Sequence, residues 1–444
     1  MATKTLVLGL GVSGIAAARL LLKQGHGVLG IDSNLSYLET NEMVCHLQTM
    51  GMLCQHDGVP IQWNSIERVV VSPGIHPKHP IYQAAKVKGI EIIGEAELAL
   101  SHFKKPIVAV TGTNGKTTVT LLVEHILNST GIKAKALGNV GTALSDYLMN
   151  PGSEEAFVVE LSSFQLETMR TAVFDAAVIL NITPDHLDRY SDMQNYAMAK
   201  CHLQHLLKHD ALFFVQTQTV HEFAHLFQLK NYQTFGLEKG SDLWTDQNSV
   251  KYREKIEGIM PIRYREMGKH DNENALAAWA LCQPFSISNE QFSKALETFQ
   301  KPPHRIEFIR EIEGVSFFDD SKGTNIDAVV QAVRAMKGPV ILIAGGVDKG
   351  ASYLPWKEQL CGKIKQIIAI GAAAPKIYSE LQPYFNIKRA DSLATAVKVA
   401  TSDARGGDCV LLSPGCSSYD MFCNYAHRGE EFQRYVHSIE VRRG

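Results

Sequence analysis

The sequence lacks most of the features that would take it out of the water-filled, globular class. No apolar stretch in its 444 residues approaches the ~18–20 residues a helix needs to cross a bilayer, so membrane insertion is not expected. The opening apolar run, Thr5 to Leu10, is too short for a signal-peptide core and is broken by glycine. An excess of one charge is missing too: Lys and Arg total 44, Asp and Glu total 46, and the net charge is −2. That balance offers no basic field for nucleic acid or an anionic membrane, and any anionic ligand must be held by local groups. The eight cysteines are scattered and none forms a C-x-x-C pair. A chain this long needs no disulfide staples, so reduced, mostly buried thiols in a cytoplasmic protein are expected.

The length predicts two to four domains. Short apolar runs rich in β-branched residues recur along the chain: Thr5–Gly9, Val28–Asp32, Arg68–Ser72, Ile107–Thr111, Phe157–Leu161, Ala177–Asn181, Val315–Asp319, Val340–Ala344, Gln366–Ile370 and Asp408–Leu412. Continuous apolar strands suit parallel sheets covered on both faces. Helical spacing lies between them, as in Val119, Leu122, Val123, Ile126 and Leu127 with Gly131 beyond as a C-cap, and again in Val329, Val330, Val333 and Met336. The strand–helix alternation predicts an α/β protein of three domains with active loops at the strand C-termini. The outer two are expected to be Rossmann-like and the central one a P-loop-type mononucleotide-binding domain with a mostly parallel sheet. Lys104-Lys105-Pro106 and Lys301-Pro302-Pro303-His304 mark breaks, giving segments 1–97, 98–301 and 302–444. The stretch 216–265 is polar and irregular, with room for edge strands.

Two glycine loops carry phosphate chemistry. Gly9-Leu10-Gly11-Val12-Ser13-Gly14 follows a strand and opens an Ala-rich helix, and Asp32 ends the next strand. This G-x-G-x-x-G pattern fits a nucleotide diphosphate at a helix N-terminus, with the acid on a ribose hydroxyl. It equally fits a turn whose glycines serve strand–helix packing. Ser72-Pro73-Gly74 closes a strand at the same edge. The second loop, Gly112-Thr113-Asn114-Gly115-Lys116-Thr117-Thr118, departs from the general P-loop because Val110 stands where its first glycine would be. A turn alone would not require Lys116 and Thr117 at a helix start. A lysine there opposes the helix dipole unless an anion is bound, whereas phosphates need a lysine on the β/γ groups and a hydroxyl on Mg²⁺. Glu160 and His186 follow two further strands. Either alone would pass for a solvated side chain; beside a phosphate loop they are the ligand types that hold a metal.

Taken together, these stretches resemble the Mur ligase family over essentially the whole chain, and most closely its D-glutamate-adding branch. The resemblance is carried by G-L-G-V-S-G, S-P-G, T-G-T-N-G-K-T-T, G-N-V-G, E-L-S-S-F-Q-L, N-I-T-P-D-H-L-D, H-D-N-E-N-A-L-A-A, P-P-H-R-I-E, D-D-S-K-G-T-N and L-L-S-P-G-C-S-S-Y-D. It implies an ATP- and Mg²⁺-dependent ligase that joins D-glutamate to UDP-N-acetylmuramoyl-L-alanine through an acyl phosphate and works as a cytoplasmic monomer. By position it implies that Val12, Ser13, Asp32, Ser33 and Gly74 contact the UDP portion, while Asn139 and Ser162 meet the rest of the precursor. Thr117, Glu160, His186 and Lys200, the last as a carbamate, would serve the metal. Asn274, Arg305 and Asp320 would contact ATP, and Lys322, Thr324, Lys349, Ser418 and Tyr425 would recognise glutamate. The resemblance also implies domain closure, with hinges near Pro106 and Pro302-Pro303. Without it, Lys200 would read as a solvated residue on a helix spanning 191–208. The chain departs from the pattern at Tyr425, where the family often has Phe, at Asn34, where Arg is frequent, and in a His186-to-Lys200 spacing one residue short. A sibling ligase, a folylpolyglutamate-synthase-like ligase and an NAD-dependent dehydrogenase are the competing readings.

Overall fold

The first sheet follows directly from the β-branched runs near the N-terminus. It consists of β1 (Lys4–Leu8), β2 (Gly27–Asp32), β3 (Leu53–His56), β4 (Ile66–Val71) and β5 (Glu91–Gly94), all parallel, in the order β3-β2-β1-β4-β5. The computed structural model describes residues 3–440 apart from 230, 247, 262–263 and 265–267, with only the backbone of 256–259. Chain order reverses between β1 and β4, and a crevice for ligands opens at such a switch point. Apolar side chains cover both faces, Val7, Val28 and Val70 on one and Leu6, Leu8, Val69 and Val71 on the other.

The second sheet holds β6 (Ile107–Thr111), β7 (Ala134–Gly138), β8 (Ala156–Glu160), β9 (Phe174–Ile179), β10 (Leu207–Gln216), β11 (Gln233–Gly236), β12 (Leu243–Thr245), β13 (Ser249–Tyr252) and β14 (Lys255–Ile259), in the order β14-β13-β12-β11-β10-β9-β6-β8-β7. It is parallel except for the antiparallel β12–β13–β14 run. The polar stretch 216–265 therefore supplies the sheet's edge. One core face is built by Val119, Leu122, Val123 and Ile126 of the helix Lys116–Ser129 against Leu276, Ala277 and Ala280 of the helix Lys269–Cys282. Each such large buried apolar side chain contributes on the order of 2 kcal/mol.

The helix expected over 191–208 is shorter. It runs Met193–Cys201, a 3₁₀ turn covers His202–Leu206, and β10 begins at Leu207. Tertiary pairing decides this: Leu212–Val215 align with Ala176–Ile179 of β9, and the apolar run is buried better in the sheet than on a helix face.

The third sheet comprises β15 (Glu307–Ile312), β16 (Val315–Asp319), β17 (Val340–Gly345), β18 (Ile364–Ile370), β19 (Ile387–Arg389) and β20 (Cys409–Leu412), ordered β15-β16-β20-β17-β18-β19 and parallel except for the β15–β16 hairpin. The chain is thus an α/β protein of three domains.

The three sheets are packed into two compact units, one of Met1–Ile182 with Gln194–Phe299, the other of Thr183–Met193 with Gln300–Gly444. Within the first unit, specific bonds fasten the N-terminal sheet to the central one. Arg19 pairs with Asp146 at 2.7 Å, Ser145 N–H donates to the buried Glu95 carboxylate at 2.6 Å, and Glu97 accepts from the Arg170 N–H at 2.9 Å. Burial raises the pKa of Glu95. In the second unit, 183–193 joins the C-terminal sheet because Lys349 pairs with Asp185 at 3.0 Å and its carbonyl accepts from the Asp188 N–H at 3.2 Å.

Candidate active site

In the first glycine loop the packing reading holds at two of the glycines, and the others leave space for a ligand. A Cβ on Gly14 would lie 1.9 Å from the Gly9 carbonyl oxygen, and Gly9 has φ +85°, so these two are required by strand–helix packing. Gly11 and Gly74 face open space, and Val12 is 78% exposed at the helix start with Ser13 beside it. Asp32 is tied into the loop by both oxygens. Its Oδ2 accepts from Leu10 N–H at 2.8 Å and its Oδ1 from Asn34 N–H at 3.0 Å. Ser72 Oγ–H donates to Gly9 O at 2.7 Å. The loop is held open from both sides while Val12, Ser13 and Ser33 stay accessible. Asn34 serves as an N-cap, accepting from Tyr37 N–H at 3.0 Å.

The second loop lies where β6 sits between β9 and β8. Gly112 has φ +149° and Gly115 φ +87°. A Cβ on Gly115 would approach Asn274 Oδ1 to 2.6 Å, which places Asn274 against the loop. Lys116 folds back, donating from Nζ to Gly112 O at 2.9 Å and Thr113 O at 2.8 Å. Gly115 caps the helix with no side-chain bond, so the helix start presents backbone donors and a favourable dipole to an anion. Thr113, Thr117 and Thr118 are buried in the loop.

Glu160 ends β8 in register with Val110 of β6 and Gly138 of β7. Asn139 Nδ2–H donates to its Oε1 at 2.8 Å, and Oε2 is buried with no hydrogen-bond partner among the described residues. A buried carboxylate oxygen left unpaired is costly, and a cation would satisfy it. Lys200 is buried rather than solvated, contrary to its default reading. Its Nζ donates to Gly112 O at 2.7 Å and lies 4.8 Å from the Tyr196 ring centroid. The structure thus brings Lys116, Thr117, Glu160, Lys200, Asn139 and Asn274 around one sheet edge. Ser162 caps the helix Ser163–Leu166 in a reciprocal capping box with Gln165.

The second unit gathers the remaining residues. Lys349 pairs with the buried Asp185 and reaches Thr324 Oγ1 at 3.5 Å; both Asp185 and Lys349 line a small cavity with Asn325, Asp348 and Tyr353. His186 adopts φ +55°, with its N–H donating to Asp185 Oδ1 at 2.9 Å. Lys322 Nζ lies 3.8 Å above the Tyr425 ring, so the aromatic face rather than the added hydroxyl meets this ammonium. Asp320 is buried and accepts from Ser413 Oγ–H at 2.6 Å. Burial pushes its carboxyl up to about 7, against the lowering effects of that bond and of the Arg305 charge. Arg305 stands between His304 and Ile306, both at positive φ, +62° and +50°, a strained turn typical of functional loops. Ser418 is buried.

Several supporting residues were assigned no role from the sequence. Asn181 clamps the phosphate loop, accepting from Asn114 N–H at 2.8 Å and donating to Asn114 O at 3.0 Å. Tyr196 shares a hydroxyl–hydroxyl bond of 3.1 Å with Thr113. Arg428 is fully buried, donating to Ser321 and to Cys416 O, and burial lowers its pKa to about 10. A polar amide directly after a buried strand was the available signal for Asn181; Arg428 lies on a helix with no comparable mark.

These loops, carboxylate and lysines define a nucleotide-dependent ligase fold. The chain belongs to the Mur ligase family: residues 3–94 match the Mur ligase MurD-like N-terminal domain, 110–282 the Mur ligase middle domain, and 304–416 the Mur ligase glutamate ligase domain. It is 47% identical over 433 residues to the UDP-N-acetylmuramoylalanine–D-glutamate ligase of Protochlamydia amoebophila, covering 98% of this chain and 97% of that one. To the protein of that name from Caldicellulosiruptor bescii it is 38% identical over 466 residues, covering 98% and 97%. Among solved structures, a pseudomurein peptide ligase type C from Methanothermus fervidus aligns with TM-score 0.61 at 18% identity, covering 99% of this chain and 100% of that one. The MurF ligase of Thermotoga maritima in complex with ADP aligns with TM-score 0.60 at 16% identity, covering 93% and 95%. At those identities the structural likeness is one of fold.

Proposed function

We propose that the protein is the ATP-dependent ligase that adds D-glutamate to UDP-N-acetylmuramoyl-L-alanine, releasing ADP and phosphate, and that it works in the cytoplasm as a monomer. The relatives of that name support the substrates. The observation that carries the chemistry is the buried, unpaired Glu160 Oε2 at the strand end beside the Lys116 loop.

A carboxylate is a poor electrophile, and phosphorylation to an acyl phosphate supplies a good leaving group. The carboxylate must approach a triphosphate, so anion meets anion. Gly112–Thr118 cradle the phosphates and Lys116 neutralises them, with Asn274 against the loop and Arg305 and Asp320 as further ATP contacts. Thr117, Glu160, His186 and Lys200 as a carbamate would hold Mg²⁺, which when bound supplies charge neutralisation at the phosphates. Val12, Ser13, Asp32, Ser33 and Gly74 hold the UDP portion, and Asn139 with Ser162 orients the muramoyl end. Lys322, Thr324, Lys349, Ser418 and Tyr425 hold the carboxylates of glutamate and place its neutral amine for attack. Closure of the domains around the ligands would keep water from the acyl phosphate; scattering with and without nucleotide and precursor should show a smaller radius when both are present. The deciding experiment measures phosphate release with UDP-N-acetylmuramoyl-L-alanine and each of D-glutamate, L-alanine, diaminopimelate and L-lysine. Turnover is expected with D-glutamate, and turnover confined to another amino acid would make the protein a sibling ligase.

A further inference from the structure

We propose that His56 is a positioning residue for the uridine end of the precursor site. This rests on the reading that the first sheet binds the UDP portion, and adds a residue that no motif marks. β3 runs beside β2 with Asp32 opposite His56, so His56 arrives at the same C-terminal sheet edge as Asp32 and Ser33. From there two successive carbonyls are fastened: Asp57 N–H donates to Asp32 O at 3.2 Å, and His56 Nε2 meets Ser33 O at 2.9 Å. The tautomer follows from the partners. Nδ1 accepts from Gly58 N–H at 3.1 Å, so the ring proton sits on Nε2 and donates to Ser33. Asp57 lies alongside, its Oδ1 3.3 Å from His56 Nδ1 and its Oδ2 3.5 Å from His79 Nε2.

The consequence falls on the Asp32–Ser33 peptide. In a trans peptide the C=O and N–H point in opposite directions. Drawing Asp32 O toward β3 turns the Ser33 N–H away from it, and among the described residues no group accepts that N–H. It is a donor aimed at the strand-end crevice, suited to a carbonyl oxygen of a pyrimidine base. Asn34, which replaces a frequent arginine, is spent on capping its own helix. The grip on the base therefore falls to the Ser33 backbone, held through the preceding peptide by the Asp57 N–H and through the following one by His56.

Calorimetric titration of UDP into the full chain, with steady-state kinetics, tests this in wild type, His56→Ala and His56→Gln. Glutamine carries an amide N–H at similar reach and restores the donor to Ser33 O. His56→Ala should weaken UDP and raise the KM for the UDP-linked precursor by about three- to tenfold, the loss of one hydrogen bond, while kcat at saturation and the KM for ATP stay unchanged. His56→Gln should return most of the affinity. Equal UDP affinity in wild type and His56→Ala overturns the proposal and leaves the reading of the first sheet intact. Parallel loss of ATP and UDP binding without rescue by glutamine marks His56 as a general folding residue and also overturns it. If wild type itself binds no UDP, that reading of the sheet fails and the proposal with it.

Discussion

Asn139 and Glu160 share a single hydrogen bond, from Asn139 Nδ2 to Glu160 Oε1 at 2.8 Å, and the second carboxylate oxygen is left buried with no partner among the described residues. Asn139 therefore orients the carboxylate, and Oε2 is available to a cation. Glu160→Gln keeps the shape and removes the charge. It should raise the Mg²⁺ concentration needed for half-maximal phosphate release and lower the rate on the order of a hundredfold or more, with the melting temperature held at or above that of the parent.

Lys116 gives a second test. Its ammonium bonds two loop carbonyls and stands at a helix start, where a positive charge is unfavourable without an anion. Lys116→Ala should cost about a hundred- to a thousandfold in amide synthesis while circular dichroism remains that of the folded parent. Synthesis at the parental rate would remove the basis of the proposed chemistry.

Lys200 is buried with its nitrogen on Gly112 O. If it works as a carbamate, activity should fall when carbon dioxide and bicarbonate are stripped from the buffer and return when bicarbonate is added. Lys200→Ala should be inactive under both conditions.

Asp320 predicts a pH dependence of stability. Burial raises its carboxyl to about 7, so the folded state keeps a proton that the unfolded chain has already lost. Stability therefore declines as pH rises from the ordinary carboxylate range through neutrality. Asp320→Asn retains an acceptor for Ser413 and never ionises. Thermal melts should place it above the parent at about pH 8, with the difference closing toward about pH 4, while ligation slows through loss of the ATP contact.

The two readings of the first glycine loop separate at single atoms. Gly14→Ala would drive a methyl against the Gly9 carbonyl, whereas Gly11→Ala meets nothing within 4 Å. The first should lower the melting temperature of the chain and abolish UDP binding. The second should leave the melt unchanged, and any loss of UDP affinity it shows reports on the ligand alone.

What the sequence by itself determined was local. β-branched runs made the strands, helical spacing marked Val119–Leu127, and the glycines with Lys116 and Thr117 marked a phosphate turn, because backbone freedom, periodicity and charge at a helix start are properties of short windows. Tertiary structure alone decided that the helix bearing Lys200 stops at Cys201 and yields to β10, since pairing with β9 outweighs local propensity. It also decided that Lys200 is buried, that Ser162 caps a helix, and that Asn181 clamps Asn114 across 67 residues. Sheet order brings such partners together, and no window of sequence contains both members of the pair.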